Sequence, residues 1–178
     1  MSDLDRARQE SIASSAAGFP FLLCFGLTWI GAGAASYFLH AEAAAWVYLL
    51  QAAVAVPLAL GLQRWLGYPK APPENPLWPL AMQLLLIQAV AFPAYVVVLA
   101  LEPSYVPVVF AALVGAHFLP FQWLYRTRLY GVLGVLVSIG PWALAVLFGK
   151  DSLHYTGFFV GAVLLAGSFF ARAHAARR

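Results

Sequence analysis

Residues 104–151 read SYVPVVFAALVGAHFLPFQWLYRTRLYGVLGVLVSIGPWALAVLFGKD. Two apolar runs, 104–125 and 129–149, flank the tight basic turn Arg126-Thr127-Arg128. Each run holds roughly 20 residues, enough for a helix rising ~1.5 Å per residue to cross a ~30 Å hydrocarbon core. Neither run alternates polar and apolar residues as barrel strands do, and backbone groups in lipid must be satisfied within the segment. The pair therefore reads as a helical hairpin that crosses a bilayer twice.

The same reading extends outward in both directions. Four more apolar runs occupy 18–39, 43–63, 78–101 and 153–172. Tight connections join most of them: His40-Ala41-Glu42, Glu102-Pro103 and Lys150-Asp151-Ser152. Only 64–77 is longer. It carries Pro69, Lys70, Pro72, Pro73, Glu74 and Pro76, which predict an extended linker. The expected fold is all-α: a polytopic membrane protein, a bundle of six transmembrane helices with kinked spans. A leader, 1–17, precedes the transmembrane domain 18–172, and a short tail, 173–178, follows it. Ser2 is placed to cap a short leader helix with Leu4, Ala7 and Ile12 on one side, read as an interfacial approach to the first span. The leader's Asp3, Asp5, Arg6, Arg8 and Glu10 do not fit a cleavable signal. The two three-span halves show no convincing sequence match.

Composition agrees. Charged residues make up 10% of the chain against about 25% in soluble domains. Mean hydropathy is +0.81. Arg6, Arg8, Arg64, Lys70, Arg126, Arg128, Arg172, Arg177 and Arg178 fall on one side of this layout, and Lys150 alone on the other. That bias places both termini in the cytoplasm and the chain in the inner membrane of a cell. The net charge of +3 is spent on loops flanking the spans, which argues against a nucleic-acid partner. The lipid bilayer is the expected partner. Trp46, Tyr48, Tyr105 and Tyr155 are expected in an outer aromatic belt, and Trp65, Trp78, Trp123, Tyr125 and Tyr130 in an inner one.

His117 is the first candidate functional residue, midway along its span. An ionisable group at that depth faces the bundle or a wet cavity. It serves as a ligand contact or proton relay, or as a neutral imidazole bonded to a neighbouring helix. Pro120 removes a helix hydrogen bond and clashes with the Ala116 carbonyl, predicting a kink beside His117. Pro57, Pro93 and Pro141 predict further distortions, while Pro79 and Pro107 sit in first turns. Gln88 lies at a comparable depth, within reach of His117, and Gln122 is placed to meet the carbonyl that Pro120 frees. Such glutamines also serve as interhelical glue. Trp29, Phe92, Phe118 and Phe121 are the expected apolar lining.

The small-residue faces Gly31-xxx-Ala35, Gly134-xxx-Ser138 and Gly157-xxx-Gly161 permit close helix approach, inside the bundle or in a homo-oligomer. Cys24 stands alone, so an intrachain disulfide is excluded. His40 and His154 are expected at the outer surface and His174 at the inner, so no metal site is assigned. Phosphate-loop, dinucleotide, HExxH and Gly-x-Ser-x-Gly motifs are absent, and no cofactor or catalytic residue is assigned.

Gly115-Ala116-His117-Phe118-Leu119-Pro120-Phe121-Gln122-Trp123-Leu124-Tyr125-Arg126 resembles a segment of a family of small six-span bacterial membrane proteins of unknown function. Gly18-Phe19-Pro20-Phe21-Leu22-Leu23 is similar to that family's first span, after a short charged leader. The resemblance implies a bacterial multi-span protein and supplies no activity. The functional expectation is an integral membrane protein that binds, and in the fuller reading transports, a small apolar or amphipathic ligand near His117, Pro120, Gln88, Gln122, Trp29 and Phe121. The alternatives are a non-catalytic scaffold or partner subunit, and an enzyme acting on a lipid.

Overall fold

The computed structural model describes residues 2–70 and 72–177; Arg178, counted above among the basic flanks, lies outside them. The described residues form helices and no strands: α1 (Asp3–Ser15), α2 (Phe19–Ser36), α3 (Ala41–Trp65), α4 (Trp78–Val90), α5 (Phe92–Leu101), α6 (Val106–Tyr125), α7 (Leu129–Phe148) and α8 (Ser152–Ala175). Five helical stretches are long and apolar enough to cross a membrane. They are Asp3–Ser36, Ala41–Trp65, Trp78–Leu101, Pro103–Tyr125 and the 47-residue Leu129–Ala175, which contains α7, the turn Gly149–Asp151 and α8.

The leader is more than an interfacial approach. Ser2 does cap α1, accepting a hydrogen bond from the Asp5 amide at 3.2 Å. The helix then buries Ala7, Arg8, Ile12 and Ser14 against the other helices, while Leu4 stays exposed. It stops where Ala16, Ala17 and Gly18 take φ of 46°, 51° and 84° in succession. Left-handed alanines are strained. Here the Tyr130 hydroxyl donates to the Ala17 carbonyl at 2.6 Å, and a Cβ on Gly18 would fall on that hydroxyl. Only glycine fits at position 18.

Close packing follows the small residues. α2 lies against α8, where a Cβ on Gly157 would sit 2.6 Å from the Gly33 Cα. Gly161 meets the Gly26 carbonyl on the same seam. α6 lies against α7, with Gly115 facing Gly134 and Ser138, whose hydroxyl donates to the Ala112 carbonyl at 3.0 Å. Two of the three small-residue faces are thus spent inside the fold. The third is not: a Cβ on Gly31 would meet nothing within 4 Å.

The prolines act unequally. α3, α6 and α7 run unbroken through Pro57, Pro120 and Pro141. At Pro93 the helix is interrupted. α4 ends at Val90, Ala91 turns, and α5 restarts with Pro93 in its first turn. The linker after α3 also departs from the extended expectation. Asn75 folds it, accepting from the Leu77 amide at 2.9 Å, while the Asn75 amide donates to the Pro72 carbonyl at 3.0 Å.

The helices form an arc in the order α3, α2, α8, α7, α6, with α4 and α5 leaning on α6. α1 closes one end. That end also carries the C-terminal part of α8, whose His174 ring bonds the Tyr125 carbonyl at 3.0 Å. The opposite end carries the Lys150–Glu102 ion pair and the Ser36–His154 bond, with His154 stacked on Tyr37.

Candidate functional site

Inside the arc is a cavity of about 710 Å³. α2, α3, α4, α5 and α6 supply most of its walls, with Tyr130 of α7 and Leu164 of α8, and α1 and the linker supply its floor. Most of the lining is apolar: Phe21, Leu22, Phe25, Leu49, Val56, Phe92, Phe110, Val114, Phe118, Phe121 and Leu124. Polar groups gather at two levels.

The inner level holds Gln88, Tyr95 and His117. The break at Ala91 sets Gln88 on α4 and Tyr95 on α5 beside each other. The Tyr95 hydroxyl donates to Gln88 Oε1 at 2.6 Å, and Gln88 Nε2 donates to the Leu113 carbonyl at 3.1 Å. Gln88 therefore spends its bonds on Tyr95 and α6, and no His117–Gln88 hydrogen bond forms. His117 is half-buried, flanked by Phe118 and by an edge-on Phe121. Its Nδ1 lies 2.6 Å from the Val114 carbonyl. A carbonyl only accepts, so Nδ1 carries the proton. In the neutral form of the ring, Nε2 then keeps a lone pair able to accept a hydrogen bond or take a proton.

The outer level holds Ser11, Ser14, Ser15, Gln63, Lys70 and Asn75. The serines sit at helical spacing, which turns them to one face of α1. Their hydroxyls donate to backbone carbonyls of α1, as at Ser11 to Ala7 at 2.9 Å, and Ser15 also reaches the Tyr125 hydroxyl at 3.1 Å. Asn75 Nδ2 donates to the Ala7 carbonyl at 2.9 Å and to Glu10 at 3.0 Å. Gln63 Nε2 bonds the Ser14 carbonyl. The floor is thus stitched to both the linker and α3. On its far side, Arg8 is buried with its guanidinium 4.0 Å over the Trp123 ring, and Arg126 pairs with Asp5 at 2.9 Å.

Of the six residues expected at the site, His117, Gln88 and Phe121 line the cavity, as do Phe118 and Phe92. Trp29, Pro120 and Gln122 do not. Trp29 is fully buried, stacked on Phe110 at 5.2 Å and tilted against Tyr48 at 5.4 Å. Gln122 is exposed on the α7 side, where its amide oxygen fills the space over Gly131. Three expected belt tyrosines are interior. Tyr48 donates to the Leu153 carbonyl at 2.7 Å, and Tyr125 and Tyr130 line the cavity. Trp65, Trp78 and Trp123 are exposed, and Trp78 also lines the cavity.

Sequence reasoning missed Tyr95, the three serines, Gln63 and Asn75. Two signals were available: the i, i+3, i+4 spacing of Ser11, Ser14 and Ser15, and an asparagine among prolines just ahead of a helix, a common turn former. Among the described residues no three His, Cys, Asp or Glu side chains gather as a metal site would need.

The profile of a family of unknown function, DUF7010, matches residues 4–173. No curated protein and no solved structure matches the chain.

Proposed function

We propose, for a chain that belongs to this family of unknown function, that it is an integral membrane protein holding an apolar or amphipathic ligand in the cavity between α3, α4, α5 and α6. One observation carries the reading. A cavity of about 710 Å³ lies within the ~300–1,000 Å³ typical of small-molecule sites, and it combines apolar walls with a few placed polar groups. Transport across the membrane is the fuller form of the same reading, supported by the interrupted helix α4–α5 beside the cavity.

The 47-residue stretch Leu129–Ala175 supports a sixth crossing. As one straight helix it would run about 70 Å, over twice the ~30 Å core. Instead Gly149, at φ 56°, turns the chain, and α8 packs back on α7 through Leu133 against Gly167 and Phe159 against Gly140. α7 and α8 then cross separately. Arg6, Arg8, Arg64, Lys70, Arg126, Arg128, Arg172 and Arg177 belong to the α1 end and Lys150 to the other, which favours a cytoplasmic α1 end in an inner membrane. The glycines a scaffold would offer, Gly157 and Gly161, are already covered by α2.

The test is thermal unfolding of the detergent-purified protein against a panel of lipids, amphiphiles and metabolites. A compound in large excess over its Kd should add about 2–4 kcal/mol. Ala52 lines the cavity from α3, so Ala52→Phe should keep the unliganded Tm and abolish the response. Equal responses from both proteins, or none from either, would remove the reading.

A further inference from the structure

The cavity is polar at one end and has a loosely packed seam. α3 and α4 both line it but make little contact with each other, so this seam is the route a ligand dissolved in a bilayer would use. The lining on α6 runs from Phe110 to Tyr125, about 22 Å of helix at ~1.5 Å per residue. That exceeds one leaflet of hydrocarbon, ~15 Å, half of the ~30 Å core. Space of this length suits a chain-like molecule.

The polarity is graded along the same axis. Lys70 is the one charged side chain among the lining residues, and it lies at the α1 end. The same end of the lining carries Gln63, Asn75, Ser11, Ser14 and Ser15. Glu10, whose carboxylate accepts from Asn75 Nδ2, is not among the lining residues. The inner end offers Gln88, Tyr95 and His117, with no Lys, Arg, Asp or Glu among its lining residues.

Building on the ligand-site reading above, we infer that the occupant is a single-chain amphiphile with an anionic head, taken from the bilayer between α3 and α4. Its head lies at Lys70 and its chain reaches toward Gln88 and His117.

The experiment uses three probes that share one chain and differ in head charge: oleate, oleyl alcohol and oleylamine. Their Kd values are measured by thermal shift on the full chain in neutral phosphatidylcholine nanodiscs, for the wild type, Lys70→Gln and Lys70→Glu. Taking variant-to-wild-type ratios for each probe cancels differences in partitioning. An exposed lysine should favour oleate over oleyl alcohol by roughly threefold to fivefold. Lys70→Gln should remove that preference and leave oleyl alcohol unchanged. Lys70→Glu should turn it toward oleylamine. If all three probes bind with ratios indifferent to residue 70, the anionic head is wrong while the cavity stands. If no probe binds the wild type, the single-chain amphiphile is wrong; the ligand site itself falls only if the wider panel also leaves the wild type and Ala52→Phe alike.

Discussion

The seam between α2 and α8 and the limb formed by α4 and α5 are made from similarly apolar sequence, yet one packs backbone on backbone and the other stands off. The seam carries Gly26, Gly33, Gly157 and Gly161, and its helices come within Cβ distance of each other. Trp78–Leu101 contains no glycine. Its Leu, Ile, Val and Phe side chains hold it at arm's length from α6, with little contact to α3. In the lipid setting proposed above, bringing such helices together would bring no hydrophobic gain, so tight packing would come where small residues allow it. The cavity lies beside the limb that carries no glycine. The rigid half of the molecule and the accommodating half are thus distinguished by glycine placement, which bears on how a bundle of this size keeps an interior space open.

The largest effect should come from filling the seam. A Cβ on Gly157 would lie 2.6 Å from the Gly33 Cα and 2.5 Å from the Tyr48 hydroxyl. Gly157→Leu should cost about 3 kcal/mol, at the upper end of overpacking changes. Gly31→Leu is the control, since nothing lies within 4 Å of its site. It should leave stability unchanged or slightly raised, because leucine is the better helix former. Denaturant unfolding in detergent would measure both. Equal losses at the two positions would mean that α2 and α8 do not meet as described, and the contrast with α4–α5 would lose its basis.

Much of this contrast is legible in the sequence, because helix length and small-residue spacing are local properties. The apolar runs 43–63, 104–125 and 129–149 correspond closely to α3, α6 and α7. The faces at Gly134 and Gly157 mark real contacts. Pro93 was one of four interior prolines with the same expectation, and only there does the helix break. The site was half legible. His117 and Gln88 announce themselves by depth and polarity, and Phe121 as an aromatic near His117. Trp29 does not separate from them in sequence, because whether an aromatic ring faces a cavity or a neighbouring ring depends on which helix lies opposite. The floor was hidden for a different reason. The α1 segment is polar enough to read as an interfacial approach, and its burial comes from Asn75, Trp123 and Tyr130, partners distant in the chain.

That floor should respond to a smaller change. Asn75 is buried and holds α1 and the linker together through three hydrogen bonds, to the Ala7 carbonyl, to Glu10 and from the Leu77 amide. Asn75→Ala strips these bonds and leaves the Leu77 amide short of a partner, at a cost of about 2 kcal/mol. The loss should be local. Hydrogen exchange should quicken in Asp3–Ser15 while the α2–α8 seam keeps its protection, as expected for units of unequal stability. Uniform loosening of both regions would show that floor and seam unfold as one, and the division between an accommodating side and a rigid one would have to be redrawn.

The smallest effect concerns the end opposite α1, where Lys150 and Glu102 tie the turn after α7 to the end of α5. The hydrogen bond from Lys150 holds the Glu102 carboxyl below its ordinary value, with Ser104 adding to it, and the same bond raises Lys150. A depressed carboxyl contributes stability that is present above its unfolded-state value and is lost as pH falls through the folded one. The raised lysine contributes below its own unfolded value and loses that contribution only in strong alkali. Both groups are exposed to solvent, so the contribution is slight and screened by salt. Tm should therefore fall slightly more for the wild type than for Glu102→Gln on acidification from about pH 7 to about pH 3, across the ordinary glutamate value of about 4.3. Raising the salt concentration should shrink that difference. Because the pair joins α5 to the rigid α7–α8 hairpin, Glu102→Gln should also loosen α5 in hydrogen exchange without touching α2. A variant as protected at α5 as the wild type would show that the limb is held by its lean on α6 alone.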